Sequence, residues 1–293
     1  GWLVGEEHKG MRTMFVMMNE ARLGVGLQGL AQADIAYQNA ADFARDRLQS
    51  RSLTGPAAPE KPADPIIVHP DVRRMLMDSR AFIEGARAFI LWTALYGDLE
   101  HKSPDEKVRE KASDYMALMT PVLKGFLTDH GFKTTSECLQ LHGGIGYTEE
   151  MGVEQYMRDA LIALIYEGTN GIQAPDLVGR KLAANGGRAI FTFFGEIDDF
   201  IGENSDNDDL KFALEPLKDI REKLQEGTMW LMQNGMANFN NAGAASTDYM
   251  HLFGYTALAY MWAMMSKTAL EKKDGSDPFY ENKLITARYY MER

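Results

Sequence analysis

Thiols are almost missing from this chain: one cysteine, Cys138, stands among 293 residues. That excludes an intramolecular disulfide and any thiolate-cluster metal site, and it suits a reducing, cytoplasmic compartment. Histidines are few and scattered: His8, His69, His101, His130, His142 and His251. No glutamate has a histidine three residues later and no HExxH occurs, so neither a di-iron pair nor a zinc site is expected. No serine sits in a G-x-S-x-G elbow, and Cys138 reads as a small buried hydrophobe. Basic residues are in deficit, 31 Lys and Arg against 42 Asp and Glu for a net charge of −11, which excludes coating nucleic acid or an anionic membrane as the main task. The longest apolar stretch, residues 254–270, carries Lys267 and several polar groups, so no membrane span is expected. No secretion leader follows Gly1, and a start without Met reads as a fragment or processed chain.

Alternating strand patterns are also missing beyond residue 11; residues 1–10 alone read as the end of a strand and a polar turn. What remains is helical. Met14, Met18, Ala21 and Val25 share one face of a helix expected to run from Met11 to about Ser50. Four prolines between residues 52 and 66 make a surface loop. Helix resumes near Asp71 and is expected to end near Tyr96 and Gly97. Ser103 reads as the next N-cap, with Pro104 in the first turn and Glu106 three residues on. That helix is expected to reach Thr128, break at Gly131 and resume over 134–141. Shorter helices follow at 152–164 and 171–184. Asn185-Gly186-Gly187 is the expected domain boundary, and seven acids without a base between residues 196 and 209 read as a solvated helix end and loop. Beyond it Leu217, Ile220, Leu224 and Leu231 mark one amphipathic helix, and Tyr255, Leu258, Trp262, Met265 and Ala269 another. A last helix is expected from about Pro278. The fold class is all-α, in two bundles. The 18 methionines read as filling for irregular gaps between helices.

Two stretches invite chemistry. Gly143-Gly144-Ile145-Gly146 follows a helix rather than a strand, so it is either a helix C-cap and turn or a cradle of N–H groups for a phosphate or adenosine edge. In Leu161–Gln173, Glu167 follows the apolar Ile165 and Tyr166 and precedes a glycine on either side of Thr169-Asn170. A carboxylate partly stripped of water there suits a general base; the other reading is that it charges the start of the next helix. The residues alone leave both open.

The run ECLQLHGGIGYTEEMGVEQYMRDALIALIYEGTNGIQ resembles the C-terminal helical domain of acyl-CoA dehydrogenases. Gln140 to Gly144, Met157-Arg158-Asp159-Ala160 and Tyr166-Glu167-Gly168-Thr169 keep the family's order and spacing. Asn19-Glu20-Ala21-Arg22 and His69-Pro70-Asp71-Val72-Arg73-Arg74 fit as well. The tail from about 188 resembles the extra helical domain of a longer subgroup, part of which is linked to 3-methylthiopropanoyl-CoA oxidation. The resemblance implies three parts: residues 1–10 as the end of a middle β-domain, 11–185 as an antiparallel C-terminal bundle, and 186–293 as an extra bundle.

It also implies an FAD-dependent oxidoreductase of fatty acid metabolism that desaturates an acyl-CoA to a trans-2-enoyl-CoA. Glu167 would be the catalytic base for the α-proton, and its N–H with a flavin hydroxyl would hold the thioester oxygen. Asn19, Arg22 and Gly168 match substrate-side positions. Arg47, Gln49, Gln140, Gly143, Gly144, Thr169 and Gly171 match flavin contacts, some of them across a subunit interface. An electron-transfer flavoprotein is the implied partner, and a homodimer or homotetramer the implied assembly. Ala21 stands where some members place the base, so Glu167 has no rival there. Two departures stand out. Arg47-Leu48-Gln49-Ser50-Arg51 replaces the family's Arg-x-x-Phe-Gly, and the N-terminal helical domain and nearly all of the middle β-domain have no counterpart. The alternative function is a helical dimerisation or binding module without activity of its own.

Overall fold

The computed structural model describes residues 1–235 and 237–293, and among them it is all-α. The helices are α1 (Gly10–Asp46), α2 (Pro70–Lys102), α3 (Glu106–His142), α4 (Val153–Ile162), α5 (Asn170–Asp176), α6 (Arg188–Glu203), α7 (Lys211–Asn234), α8 (Phe239–Lys272) and α9 (Pro278–Glu292). The expected strand at residues 1–10 is not formed. Trp2, Leu3 and Val4 are exposed, since a strand needs a ladder partner and none lies beside them among the described residues. No helix among the described residues is long and apolar enough to cross a membrane.

Helices α1 and α3 lie side by side in the same direction, with α2 antiparallel to both. Gly131 does not break α3, which continues from Glu106 to His142. A Cβ on Gly131 would stand 2.5 Å from the Gly29 carbonyl oxygen, so this glycine lets two helix backbones touch. Gly97 likewise lies inside α2, which ends only at Lys102. The cap of α3 is Asp105, whose carboxylate accepts from the Lys107 N–H at 2.9 Å; Ser103 instead accepts from the Asp105 N–H at 3.3 Å. The helix expected at 171–184 is shorter, because α5 opens into a wider π turn over Leu177–Lys181.

Helix α1 stops at Asp46, four residues early, where the chain turns into a short antiparallel bridge. The Gln49 N–H donates to Asp64 O at 2.9 Å, and the Ile66 N–H to Arg47 O at 2.8 Å. The proline-rich loop then folds around the Asp64 carboxylate, which accepts from the N–H groups of Ser52, Ala57 and Ala58 and from Arg51. Those bonds, the Ser52 N–H first, hold the Asp64 carboxyl well below the usual carboxylate range.

The two expected bundles share one core. Phe82, Phe89, Leu118 and Phe126 of α2 and α3 join Phe193, Leu217, Phe253 and Leu258 of α6, α7 and α8 in a single buried cluster. Trp262 of α8, fully buried, donates its indole N–H to the Ala81 carbonyl at 3.1 Å. A smaller cluster at the far end gathers Ala40, Ala44, Ile66, Cys138 and Leu141. Burial there pushes the Cys138 thiol up to about 12, as befits a packed hydrophobe.

Candidate active site

Helix α4 ends at Ile162, and the chain reaches α5 through a tight loop at 163–169. Glu167 and Gly168 both take left-handed backbone conformations, φ 56° and 85°. For a glutamate that conformation is costly and persists only where the surroundings impose it. Here the surroundings are three buried donors aimed at two consecutive carbonyls. Arg22 Nε of α1 donates to Glu167 O at 3.2 Å. Gln173 Nε2 of α5 donates to Glu167 O at 3.3 Å and to Gly168 O at 3.0 Å. Lys124 Nζ of α3 donates to Gly168 O at 2.8 Å and to Asn170 Oδ1 at 2.7 Å. Tyr166 adds a hydroxyl bond to Gln28.

The clamp holds the backbone and leaves the acid free. The Glu167 carboxylate is half-buried and makes no hydrogen bond or ion pair among the described residues. Its own N–H likewise donates to no protein acceptor among them. Lys124 has none of its surface exposed; burial pulls its ammonium down to about 8 against the opposing pull of Asp129. Arg22 is also buried, at 6% exposure, so it serves the loop directly. Asn19, one turn before it, is exposed.

Thr169 and Gly171 lie on the open side of the same loop, and a Cβ on Gly171 would touch nothing. The remaining candidates sit elsewhere. Arg47, Gln49, Gln140, Gly143 and Gly144 are exposed at the far ends of α1 and α3, brought together by Phe43 packing on His142 at 4.5 Å. From Arg22 to Arg47 the helix rise alone gives about 37 Å. One chain therefore presents two separate groups of candidate residues. A cleft of about 710 Å³ between α2, α3, α7, α8 and α9 is lined by none of them.

Three contributors were not singled out from sequence. Lys124 was the one cation inside the apolar run 115–127, which was the signal available. Asn170 and Gln173 were visible in the loop motif, but their roles as lattice and clamp depend on how α5 docks against α3.

The model of the acyl-CoA dehydrogenase C-terminal domain matches residues 8–182. The chain belongs to the acyl-CoA dehydrogenase family. A second model, described as acetyl-CoA dehydrogenase C-terminal like, matches residues 193–293. Among curated relatives, 3-methylmercaptopropionyl-CoA dehydrogenase of Ruegeria pomeroyi is 40% identical over all of this chain and half of its own length. The broad-specificity linear acyl-CoA dehydrogenase FadE5 of Mycobacterium tuberculosis is 32% identical with the same coverage. The chain thus spans about half the length of the curated relatives it matches. Among solved structures, Caenorhabditis elegans ACDH-11 in complex with C11-CoA superposes with a TM-score of 0.79 at 18% identity, covering 99% of this chain and 45% of that one. The acyl-CoA dehydrogenase of Bacillus anthracis complexed with FAD gives 0.77 at 19% identity, covering 99% and 48%. At such identities the likeness is one of fold.

Proposed function

We propose that this chain is the base-bearing half of an FAD-dependent acyl-CoA dehydrogenase that converts an acyl-CoA to its trans-2-enoyl-CoA. The observation that carries the reading is the Glu167 loop: a carboxylate with no protein partner among the described residues, on a backbone pinned by Arg22, Lys124 and Gln173. Such an acid is placed to accept a substrate proton, and a rigid mount keeps the approach distance short. The unengaged Glu167 N–H suits a thioester oxygen, whose negative charge grows as the α-proton leaves. Arg22, with guanidinium N–H groups beyond its bond to Glu167, would meet the CoA end with Asn19, and Gly168 lets the backbone take the left-handed turn beside the acid.

The exposed residues fit a flavin. Arg47 offers a cation for the pyrophosphate, with Gln49 beside it, and the Gln140, Gly143 and Gly144 turn offers an open backbone edge. Thr169 and Gly171 stand beside the base for the other end of the cofactor. When bound, FAD supplies the acceptor for the substrate's β-hydride, and an electron-transfer flavoprotein would take the electrons onward. The two groups lie toward opposite ends of the parallel pair α1 and α3, and this reading has one flavin shared by two copies. The assembly is then a homodimer or homotetramer, and light scattering showing only monomer with and without FAD would contradict it. The activity is tested by incubating the complete enzyme with an acyl-CoA panel and an artificial electron acceptor. Formation of trans-2-enoyl-CoA is expected; intact thioester with every substrate would sink the reading.

A further inference from the structure

The clamp does not end at Lys124. Asn170, whose side-chain oxygen accepts a hydrogen bond from Lys124, turns its amide NH2 to Gly125 O at 3.1 Å, Thr128 Oγ1 at 2.8 Å and Asp129 Oδ1 at 2.7 Å. The other oxygen of Asp129 accepts from His251 Nε2 at 2.8 Å. His251 lies on α8, within the region matched by the second family model. The chain of bonds has one consistent sense. His251 and Asn170 each donate to Asp129, and Lys124 donates to both Asn170 and Gly168. A flipped Asn170 would turn its NH2 toward the ammonium and its oxygen toward the carboxylate, two repulsive contacts. Asp129 therefore sets the face of Asn170, and Asn170 sets the place of Lys124. Helix α8 leans on the same spot a second time: a Cβ on Gly125 would stand 2.4 Å from Met250 Sδ.

A network this costly invites explanation. Lys124 is a fully buried ammonium whose two direct partners are neutral oxygens, and an apolar side chain of similar length would suit a helix core better. What the charge supplies is a fixed Gly168 carbonyl beneath a strained Glu167. We infer that His251 is a positioning residue for the Glu167 loop, acting through Asp129, Asn170 and Lys124, so that the second helical bundle takes part in setting the base. This rests on the reading of Glu167 as the base.

The test compares His251→Phe, His251→Gln and Glu167→Gln in the complete enzyme, by steady-state kinetics and by hydrogen exchange of the 164–173 segment. Phe keeps the ring bulk and removes the donor; Gln restores a donor. His251→Phe is expected to lower kcat by ~3- to 30-fold, with KM for acyl-CoA nearly unchanged. Exchange should quicken in 164–173 alone, and His251→Gln should recover most of both effects. Unchanged kcat and exchange in His251→Phe would overturn the inference. So would faster exchange spread over the whole chain, or a Gln variant no better than Phe. Full turnover by Glu167→Gln would instead remove the base, while the exchange comparison still judged whether His251 orders the loop.

Discussion

Lys124 donates to the carbonyl oxygen of Gly168 across 2.8 Å, from a side chain with no exposed surface. An interior cation and a loop carbonyl are thereby tied together, one on α3 and the other directly after the candidate base. Lys124→Met removes a buried charge, which favours folding, but leaves Asn170 Oδ1 unpaired, at about 1–3 kcal/mol, and leaves Gly168 O to Gln173 alone. The two effects oppose, so the urea midpoint should move little. Turnover should fall at least ~10-fold, because the loop loses its mount. A variant with normal turnover would show that the clamp is dispensable.

The same residue sets a pH dependence. Its folded ammonium titrates at about 8, below the ordinary lysine value, because burial disfavours the charge. Between pH 8 and roughly 10.4 the unfolded chain then binds the extra proton, so this group makes the fold more stable as pH rises through that window. Its burial penalty is felt in full below about pH 8. Wild-type stability measured against Lys124→Met should rise with pH across that range. A difference that is flat or falls would contradict the assignment.

Gly168→Ala is expected to destabilise by about 1–3 kcal/mol, since alanine at positive φ is strained. Its Cβ would also stand 2.5 Å from Gln173 Nε2, displacing one of the clamp's donors. Gly171→Ala, three residues on and in open space, should leave stability nearly unchanged. Chemical denaturation of the pair measures the contrast.

Helix propensity alone would have alanine improve both Gly24 and Gly131 by up to about 1 kcal/mol. Packing reverses the sign at one of them. Gly24 faces open space, whereas a Cβ on Gly131 would press on the Gly29 backbone. Gly24→Ala should therefore raise the melting temperature, and Gly131→Ala should lower it through about 1–3 kcal/mol of overpacking.

How much of this could be read in the sequence differs by level. Helix faces such as Met14, Met18, Ala21 and Val25 were legible because burial repeats with the helical period. Gly131 was misread as a break because the same residue that weakens an isolated helix also lets two helices touch, and only the partner's position decides which. The Ser50 end of α1 was misplaced because Asp64, fourteen residues on, draws the chain into a bridge. At the site, the Tyr166-Glu167-Gly168-Thr169 pattern disclosed the candidate base. The donors beneath it come from α1, α3 and α5, and no local spacing joins Arg22, Lys124 and Gln173. The shared core was hidden for the same reason: Trp262 and Ala81 meet across 181 positions of chain.

Glu167 is the centre of the proposed chemistry, and one substitution tests its role most directly. Glu167→Gln keeps the size of the side chain, but it has no carboxylate to take a proton. In the complete FAD-loaded enzyme, mixed anaerobically with an acyl-CoA, the bleaching of the flavin band in the blue reports substrate oxidation. The variant is expected to bind acyl-CoA as the wild type does and to bleach at least ~10²-fold more slowly. Bleaching at the wild-type rate would show that another group takes the α-proton, and the reading of this loop would be wrong.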